Sequence, residues 1–252
     1  MAELREQFPY GRLANEQVDL PLSAVNRSIN IPEYLDQNYW WAYLHPNGVR
    51  FFDQTPIVNT ILLGNYRKLR DLAVAQFSLK DKKVLQVAAV YGDISKKLAS
   101  ALDDDATMDL MDVAPIQLQN VSKKLSAYPN VSLMHQDATA MNVEDAHYDA
   151  VLVFFLFHEL PEEEKTKVAK ETFRVLKPGG KMVVVDYHKP KSWSPYRYIM
   201  PPLLRKLEPF ALSLWENDIL DYFGSHTQKL NRVYQRTVGT GLYQINRFIK
   251  RA

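Results

Sequence analysis

The chain has 252 residues, of which 46% are hydrophobic and 24% are charged, and its formal net charge is +2. This length and apolar content allow a substantial core, either as one large domain or as a domain with an added cap. The sequence contains no cysteine, which excludes disulfides, a thiolate nucleophile and any cysteine-ligated zinc or iron–sulfur centre.

The N-terminal third of the chain is predicted to be helical. Residues 33–46 and 56–77 carry apolar side chains near helical spacing. Helices that precede the first strand of a sheet cannot belong to it, so we predict a helical cap, residues 1–80, over the mouth of the site. The first thirteen residues have neither an apolar signal core nor an arginine-rich transit pattern, and we expect no targeting segment there.

Strand-like and helix-like segments alternate from Lys83 onward. This alternation predicts an α/β fold with a doubly wound, mostly parallel sheet of seven strands, in a domain over residues 81–252. The longest apolar run, within 148–157, is typical of a central strand covered on both faces and is too short to span a bilayer. We expect strands at 83–88, 107–112, 130–137, 148–157 and 181–187, helices at 92–102, 114–128 and 161–176, and a hairpin within 229–251. A KPGG stretch is expected to break the chain before the fifth strand.

The C-terminal quarter of the chain is basic and aromatic. From Tyr187 onward 11 Lys and Arg residues stand against 4 Asp and Glu residues, which gives this part a charge of +7. An insertion at about 189–225 is predicted to form a second wall of the site or a membrane-facing flap. Such a stretch is typical of contact with nucleic acid or with an anionic membrane, and equally of a solvated basic face.

Ligands of open α/β sheets bind at the carboxyl ends of the strands, which directs attention to Asp112, Asp137 and His158. Asp112 lies about 20 residues beyond the first turn, where an acid commonly accepts hydrogen bonds from ribose; the alternative is a helix N-cap. Asp137 with Ala138 is placed to meet an adenine edge, or is a turn aspartate. A zinc-protease motif is excluded at His158, because no second histidine stands four residues further on and Pro161 interrupts the helix.

Two other groups of residues allow more than one interpretation. The aromatic run YWWAY at 39–43 is dense enough to form a lid over a flat ring substrate, although such residues are ordinarily core. The second group is a set of histidines and aspartates near strand ends, which could together hold a divalent ion, although such residues are more often structural. Its members are His135, Asp137, His158, Asp186 and His188.

The turn after the first strand, QVAAVYGD, departs from the glycine-rich loop of nucleotide-binding folds. Gln86 stands where an acid is expected, and Ala88 and Val90 stand where glycines are expected. Only Gly92 is kept, and Tyr91 adds bulk. The turn is therefore a cofactor site, a decayed cofactor site or a modified one.

The order of elements, Asp112, the pair Asp137 and Ala138, and the stretch RVLKPGGKMVVVD (174–186) resemble the class I S-adenosylmethionine-dependent methyltransferase fold over roughly residues 80–251. Longer stretches resemble one family within that superfamily, the RquA family of rhodoquinone biosynthesis proteins, across nearly the whole chain. These stretches lie at 39–54, 64–71, 86–93 and 185–215. Under this resemblance the turn is modified rather than decayed.

The resemblance implies an enzyme of anaerobic respiration that converts ubiquinone to rhodoquinone by replacing a ring methoxy group with an amino group. S-adenosylmethionine would be the amino donor, assisted by a divalent metal such as Mn²⁺. We expect no nucleic acid partner, and peripheral contact through residues 189–215 with the bacterial cytoplasmic or the mitochondrial inner membrane; the oligomeric state stays open. The alternatives are an ordinary quinone or phenol C- or O-methyltransferase, which the absent glycines disfavour, and a non-catalytic methyltransferase-like protein.

The site residues follow from the strand ends and the resemblance together. The cofactor is expected to contact Gln86, Ala88, Val90, Gly92, Asp112, Val113, Asp137, Ala138 and Phe154. The catalytic residues near the quinone are expected to be Tyr66, Tyr91, Asp137 and His158, with the metal on Asp137 and His158. The neutral Gln86 removes one anion that would favour the ammonium form of the donor amine.

Overall fold

In the computed structural model, which describes residues 29–78 and 80–251, seven strands form one sheet. The strands are β1 (Lys83–Val87), β2 (Thr107–Asp112), β3 (Val131–His135), β4 (Tyr148–Phe154), β5 (Leu176–Tyr187), β6 (Leu230–Val238) and β7 (Tyr243–Lys250). Their order across the sheet is β3-β2-β1-β4-β5-β7-β6. The first five strands are parallel, and β7 is antiparallel to β5 and β6. The predicted doubly wound sheet with a hairpin at one edge is confirmed.

The centre of the sheet is apolar on both faces, as a sheet covered by helices requires. Val84 and Leu85 in β1 and Val151 in β4 are fully buried. The strand order reverses between β1 and β4, which pair side by side. Open α/β sheets bind ligands in the crevice at such a reversal, so the carboxyl ends of β1 and β4 mark the expected site.

Helices flank the sheet and precede it. They are α1 (Glu33–Tyr39), α2 (Pro46–Phe52), α3 (Thr55–Ile61), α4 (Tyr66–Val74), α5 (Ile94–Ala99), α6 (Pro115–Leu125), α7 (Glu162–Val175) and α8 (Tyr196–Leu207). A π-helical turn (Trp40–Leu44) follows α1, and 3₁₀ turns occupy Phe157–Glu159, Ala211–Trp215 and Ile219–Lys229. Within the described part of the chain, no helix is long and apolar enough to cross a membrane.

The helices ahead of β1 differ from their predicted bounds. Leu63 and Gly64 have φ of 52° and 78°, and they split the expected helix 56–77 into α3 and α4. The stretch 33–46 ends in the π-helical turn, and sequence analysis missed α2. Pro46 begins α2 favourably, because the first helical position needs no backbone N–H. The prediction that no targeting segment begins the chain lies outside the described residues.

The KPGG stretch does not break the chain before the fifth strand, because β5 already begins at Leu176. Tyr148 pairs with Leu176, and Ala150 pairs with Lys181, so the extra residues of β5 bulge out of the ladder. Gly179 takes φ of 77° within this bulge. The expected break is thus a bulge inside a continuous strand.

The carboxyl end of β4 lies earlier than predicted. The strand stops at Phe154, because Phe155 adopts φ of 52° and turns the chain out of the sheet. The 3₁₀ turn that carries His158 follows directly. This early end therefore sets the position of His158 relative to the strand ends.

Lys165 on α7 is fully buried and holds the segment after α8. Its ammonium donates to the Phe210 carbonyl at 2.9 Å and to Ser213 Oγ at 2.6 Å, and it pairs with Glu162 at 2.5 Å. A buried charge needs such partners to offset the loss of water. The 3₁₀ turn beyond α8 is therefore fixed to α7.

Candidate active site

Two cavities meet at the carboxyl ends of the parallel strands. The first, the strand-end cavity, encloses about 700 Å³ including its open mouth. Its lining includes Ala88, Ala89, Asp112, Val113, Ala114, Gln117, Asp137, Ala138, Thr139 and Glu159. The second, the aromatic cavity, has about 950 Å³ of empty space, again including its open mouth, and its lining includes Tyr39, Trp41, Phe52, Tyr66, Tyr91, Phe154, His158, Tyr187, Leu207 and Glu208. Tyr43, Val90 and Phe155 line both cavities and form the wall between them.

Asp112 presents a fixed acceptor to the strand-end cavity. Its Oδ2 accepts from the Ala89 N–H at 2.7 Å, and its Oδ1 accepts from the Ala114 N–H at 2.7 Å. Burial raises the pKa of Asp112 to about 6, although these hydrogen bonds lower it. Each carboxylate oxygen keeps a further lone pair, so Asp112 can accept two ribose hydroxyls at neutral pH. The residue at the N-cap of α6 is Ala114, which sets aside the N-cap alternative for Asp112.

The turn after β1 keeps a left-handed backbone with an alanine in it. Ala88 has φ of 69°, a conformation that costs a non-glycine residue about 1–2 kcal/mol. Gln86, fully buried in β1, supports this turn by donating from Nε2 to the Ala88 carbonyl at 2.9 Å. Oε1 of Gln86 has no hydrogen-bond partner among the residues that the structure describes. A buried acceptor left unpaired costs about 1–3 kcal/mol, so a bound donor there would be stabilised.

Gly92 allows Tyr66 to hold the start of α5. Gly92 has φ of 86°, and a Cβ on it would lie 2.3 Å from the Tyr66 hydroxyl oxygen. That hydroxyl accepts from the Asp93 N–H at 2.7 Å and the Ile94 N–H at 3.0 Å, and it donates to Asp93 Oδ1 at 3.0 Å. Arg70 pairs with the same carboxylate at 2.7 Å. The Tyr66 hydroxyl therefore makes its hydrogen bonds to the turn and the start of α5. Burial also raises the pKa of this hydroxyl.

Tyr91 joins the helices ahead of β1 to the sheet. Its ring stacks on Tyr43, with centroids 5.3 Å apart and 2° between the planes. Its hydroxyl donates to the Ala42 carbonyl and accepts from Gln117 Nε2 at 2.9 Å. Gln117 also donates to the Tyr43 carbonyl at 2.9 Å. The bulk that Tyr91 adds to the turn is therefore part of the wall of the aromatic cavity.

A cluster of one histidine and three carboxyl groups, buried except for the half-buried Glu208, lies where the two cavities approach each other. Nδ1 of His158 lies 3.0 Å from Asp186 Oδ1, and that oxygen also accepts from the Tyr187 N–H at 2.8 Å. Nε2 of His158 lies 3.8 Å from Glu159 Oε1 and 3.9 Å from Glu208 Oε2. Glu159 lines the strand-end cavity, whereas Glu208 lines the aromatic cavity. His158 therefore stands between a carboxyl group of each cavity.

The same cluster holds more protons at neutral pH than isolated side chains would. Burial lowers the pKa of His158, but the charges of Asp186, Glu208 and Glu159 outweigh it and raise the pKa to about 9. Burial raises the pKa of Glu159 to about 8, although the charge of His158 lowers it. Burial also raises the pKa of Glu208. A carboxyl group that is still protonated at pH 7 is a proton donor, so this cluster can serve an oxygen bound in either cavity.

The structure brings most of the predicted cofactor residues together. Six of them line the strand-end cavity, namely Ala88, Val90, Asp112, Val113, Asp137 and Ala138. Gln86 lies in β1 and Gly92 in the turn after it, and neither lines the two cavities, whereas Phe154 lines the aromatic cavity. Of the predicted catalytic residues, Tyr66, Tyr91 and His158 line the aromatic cavity. The aromatic lid expected at 39–43 also contributes to that cavity.

The predicted metal site is not formed by the described residues. Asp137 Oδ1 accepts from the N–H and the hydroxyl of Thr139, at 2.8 and 2.7 Å, which is a turn arrangement at the rim of the strand-end cavity. His158 lines the other cavity and pairs with Asp186. Within the described part of the chain, no group of three His, Asp or Glu residues could hold a metal ion. These residues do not fit Mn²⁺, and we assign no step to a metal.

Sequence reasoning missed Gln117 and Glu208. Gln117 lies inside α6, where a polar residue carries no sign of its later contacts with Tyr43 and Tyr91. Glu208 did carry a signal, because it is the only acid in the basic, apolar segment 195–215. An isolated acid in such a segment favours a buried, functional carboxyl group.

Residues 84–180 match the sequence profile of the family described as "Methyltransferase domain". A similar protein is "Ubiquinone/menaquinone biosynthesis C-methyltransferase UbiE" from Rickettsia prowazekii (strain Madrid E). It is 29% identical over 150 residues, which are 57% of this chain and 60% of that protein. The chain thus spans about 60% of the length of this relative.

Solved structures resemble most of the chain in their fold. N-methyltransferase NodS from Bradyrhizobium japonicum WM9, in complex with S-adenosyl-l-homocysteine, has a TM-score of 0.58 at 14% identity, covering 83% of this chain and 94% of NodS. The [4+2]-cyclase SpnF has a TM-score of 0.57 at 16% identity, covering 73% and 80%. At such identities the likeness establishes the fold. The chain therefore has the class I, Rossmann-like fold of the S-adenosylmethionine-dependent methyltransferases, and its residues 84–180 match the methyltransferase domain family.

Proposed function

We propose that the protein is an S-adenosylmethionine-dependent transferase that converts ubiquinone to rhodoquinone by exchanging a ring methoxy group for an amino group. The observation that carries the proposal is the wall of Tyr43, Val90 and Phe155 that the two cavities share. The strand-end cavity contains Asp112, which can accept hydrogen bonds from ribose, and the larger aromatic cavity is mostly apolar. Such a pair suits a cofactor held next to a flat substrate that receives the transferred group. The resemblance to the RquA family and the name of the Rickettsia relative both support a quinone as the acceptor.

The strand-end cavity would hold S-adenosylmethionine. Asp112 would accept hydrogen bonds from its ribose, and Ala138 would border its adenine. When bound, S-adenosylmethionine supplies the transferred group, either its amino nitrogen or its sulfonium methyl. The backbone donors on Asp112 keep the carboxylate in place, so it would bind the ribose without reorganisation.

The turn after β1 favours the amino group as the part transferred. Gln86 is neutral, so at this position no anion stabilises an ammonium ion. Its Oε1, unpaired among the described residues, can accept a hydrogen bond from an amine. The fold is also compatible with reactions other than methyl transfer, since SpnF, which shares it, is a [4+2]-cyclase.

The aromatic cavity would hold the quinone ring. Trp41, Phe52 and Tyr91 offer flat apolar surfaces to it. Glu208 lines this cavity and burial raises its pKa, so it would share a proton with a ring oxygen, which makes the ring carbons more electrophilic. His158, held in place by Asp186, would then pass a proton to Glu208 and receive one from Glu159. Stacked rings over the site would exclude water from it.

A quinone C-methyltransferase is the second candidate. The family match over residues 84–180 and the name of the Rickettsia relative favour it. The same shared wall would place a sulfonium methyl against a ring carbon, with the His158 cluster as the acceptor of the ring proton. The two candidates therefore differ in the transferred group, not in the site.

One reaction separates the two candidates. Purified protein is incubated with a short-chain ubiquinone and with S-adenosylmethionine that carries heavy nitrogen in its amino group, and the quinones are analysed by mass spectrometry. Amination gives a product that is lighter than the substrate apart from the label and that contains the heavy nitrogen. A product heavier by one methyl group and free of label would replace amination by methylation. Parallel reactions with Mn²⁺ and with a chelator test the metal dependence that the resemblance implies.

A further inference from the structure

The mouth of the aromatic cavity is framed by exposed apolar residues from two separate parts of the chain. Ile61, at the end of α3, and Leu207, at the end of α8, both line this cavity. They are nevertheless 49% and 41% exposed. Residues that line a cavity and also reach solvent mark its opening, and apolar residues at an opening favour an apolar cover.

The apolar surface continues outward from this opening along α8. Met200 and Leu204 are the buried side of the helix. Ile199 and Leu203, one turn apart on another side, are 61% and 47% exposed. Leu63, just beyond α3, is exposed as well. The helix thus carries an apolar side that no described part of the chain covers.

Exposed basic residues follow both parts of this surface closely along the chain. Arg67 and Lys68 lie just beyond Leu63, and Arg205 and Lys206 lie in the last turn of α8, and all four are exposed. The segments 55–68 and 189–207 contain no acidic residue. Exposed apolar side chains bordered by Lys and Arg are typical of surfaces that insert into the interface of an anionic membrane.

We propose that this rim docks on an anionic lipid bilayer and opens the aromatic cavity directly toward the acyl chains. The rim consists of Ile61, Leu63, Ile199, Leu203 and Leu207, with Arg67, Lys68, Arg205 and Lys206 at its borders. A lipid-soluble ring substrate then passes from the bilayer to the cavity without crossing water. The nature of the substrate rests on the proposed function, whereas docking of the rim does not. The docking surface therefore includes residues of the helices ahead of β1, and not the segment 189–215 alone.

The test is sedimentation of the full chain with phosphatidylcholine vesicles, with and without phosphatidylglycerol, at low and high salt. The rim variant combines Ile199→Ser, Leu203→Ser, Arg205→Glu and Lys206→Glu, none of which lines either cavity. The matched control combines Val233→Ser and Arg236→Glu, an exposed apolar and an exposed basic residue on β6. Circular dichroism and thermal unfolding confirm that both variants are folded.

We expect the wild type and the control to bind phosphatidylglycerol vesicles in a salt-sensitive manner, and the rim variant to bind at least about tenfold more weakly. Turnover of a short-chain quinone in detergent-free buffer should be equal in all three proteins, whereas turnover of a long-tailed quinone in vesicles should fall only in the rim variant. Equal vesicle binding by the rim variant would overturn the proposal, and so would a wild-type dimer that the rim variant converts to monomers. Binding of vesicles without any turnover would instead overturn the proposed function and leave the docking surface standing.

Discussion

The Tyr66 hydroxyl and Asp93 are joined twice, since the hydroxyl accepts from the Asp93 N–H at 2.7 Å and donates to Asp93 Oδ1 at 3.0 Å. Both bonds require that residue 92 has no side chain, because a Cβ added to Gly92 would lie 2.3 Å from that hydroxyl. A residue of α4 therefore fixes the turn that borders the strand-end cavity. We expect α4 and this turn to lose their structure together on unfolding.

The variant Gly92→Ala measures the strength of this arrangement. It adds a left-handed alanine and a contact that Tyr66 must vacate, so the free energy of unfolding should fall by about 2–4 kcal/mol. Gly179→Ala is the matched control, because Gly179 has φ of 77° but nothing lies within 4 Å of an added Cβ. The control should lose about 1 kcal/mol in urea unfolding. Equal losses in the two variants would mean that Tyr66 moves away from the added methyl group without a cost in stability.

Affinity for S-adenosylmethionine should fall as the pH drops through about 6, because the raised pKa of Asp112 lies there. Above this pH the ionised carboxylate accepts ribose hydroxyls, and below it the added proton removes the charge and an acceptor site. Asp112→Asn should abolish the pH dependence and weaken binding by about tenfold to a hundredfold. Calorimetry on either side of pH 6 checks this, with the exposed Asp104→Asn as control. An unchanged affinity in Asp112→Asn would remove this carboxylate from the cofactor site.

Gln86→Glu should slow amination at least about tenfold while S-adenosylmethionine still binds, because a carboxylate there stabilises the ammonium form of the donor. Gln86→Met is the control, since it also loses the hydrogen bond to the Ala88 carbonyl but adds no charge. Single-turnover rates with the labelled cofactor compare the two variants. If the Gln86→Met and Gln86→Glu variants slow the reaction equally, the lost hydrogen bond to Ala88 causes the effect and the added charge does not.

Turnover should decline as the pH rises through about 8, since Glu159 loses its proton there and can no longer supply it to His158. Glu159→Gln is neutral at every pH, so it should flatten this limb of the profile and lower kcat by about tenfold to a hundredfold. Glu163→Gln, on the exposed side of α7, should behave as the wild type. An alkaline limb that survives in Glu159→Gln would assign it to another group.

The sheet and half of the site were predictable because they obey local rules. Alternating apolar segments predict parallel strands, and parallel strands bring their carboxyl ends to one edge, which placed Asp112 and Asp137 in one cavity. Glu208 was not placed, because it follows α8, a helix whose contact with the sheet is decided by tertiary packing. Tyr66 lines the aromatic cavity, and the same tertiary packing explains why its hydroxyl also bonds to the turn.

The metal site predicted on Asp137 and His158 is not formed among the described residues, for a related reason. Asp137 and His158 both follow strands, and adjacency at one edge made a shared ion plausible. The early end of β4 sends the chain around Phe155, and His158 enters the aromatic cavity while Asp137 stays at the strand-end cavity. Whether His158 lines the strand-end cavity or the aromatic cavity therefore depends on the positive φ of Phe155. No sequence pattern indicates a positive φ at a phenylalanine.

Lys165 determines which side of the aromatic cavity can move. Its hydrogen bonds hold the 3₁₀ turn just beyond Glu208, so the α8 side of the mouth cannot swing outward without stranding a buried ammonium. The α3 side is a seven-residue helix that is followed by the left-handed bend of Leu63 and Gly64. Amide hydrogens of α3 should therefore exchange faster than those of α8. We expect substrate entry to displace α3 about that bend, while Glu208 keeps its position beside His158.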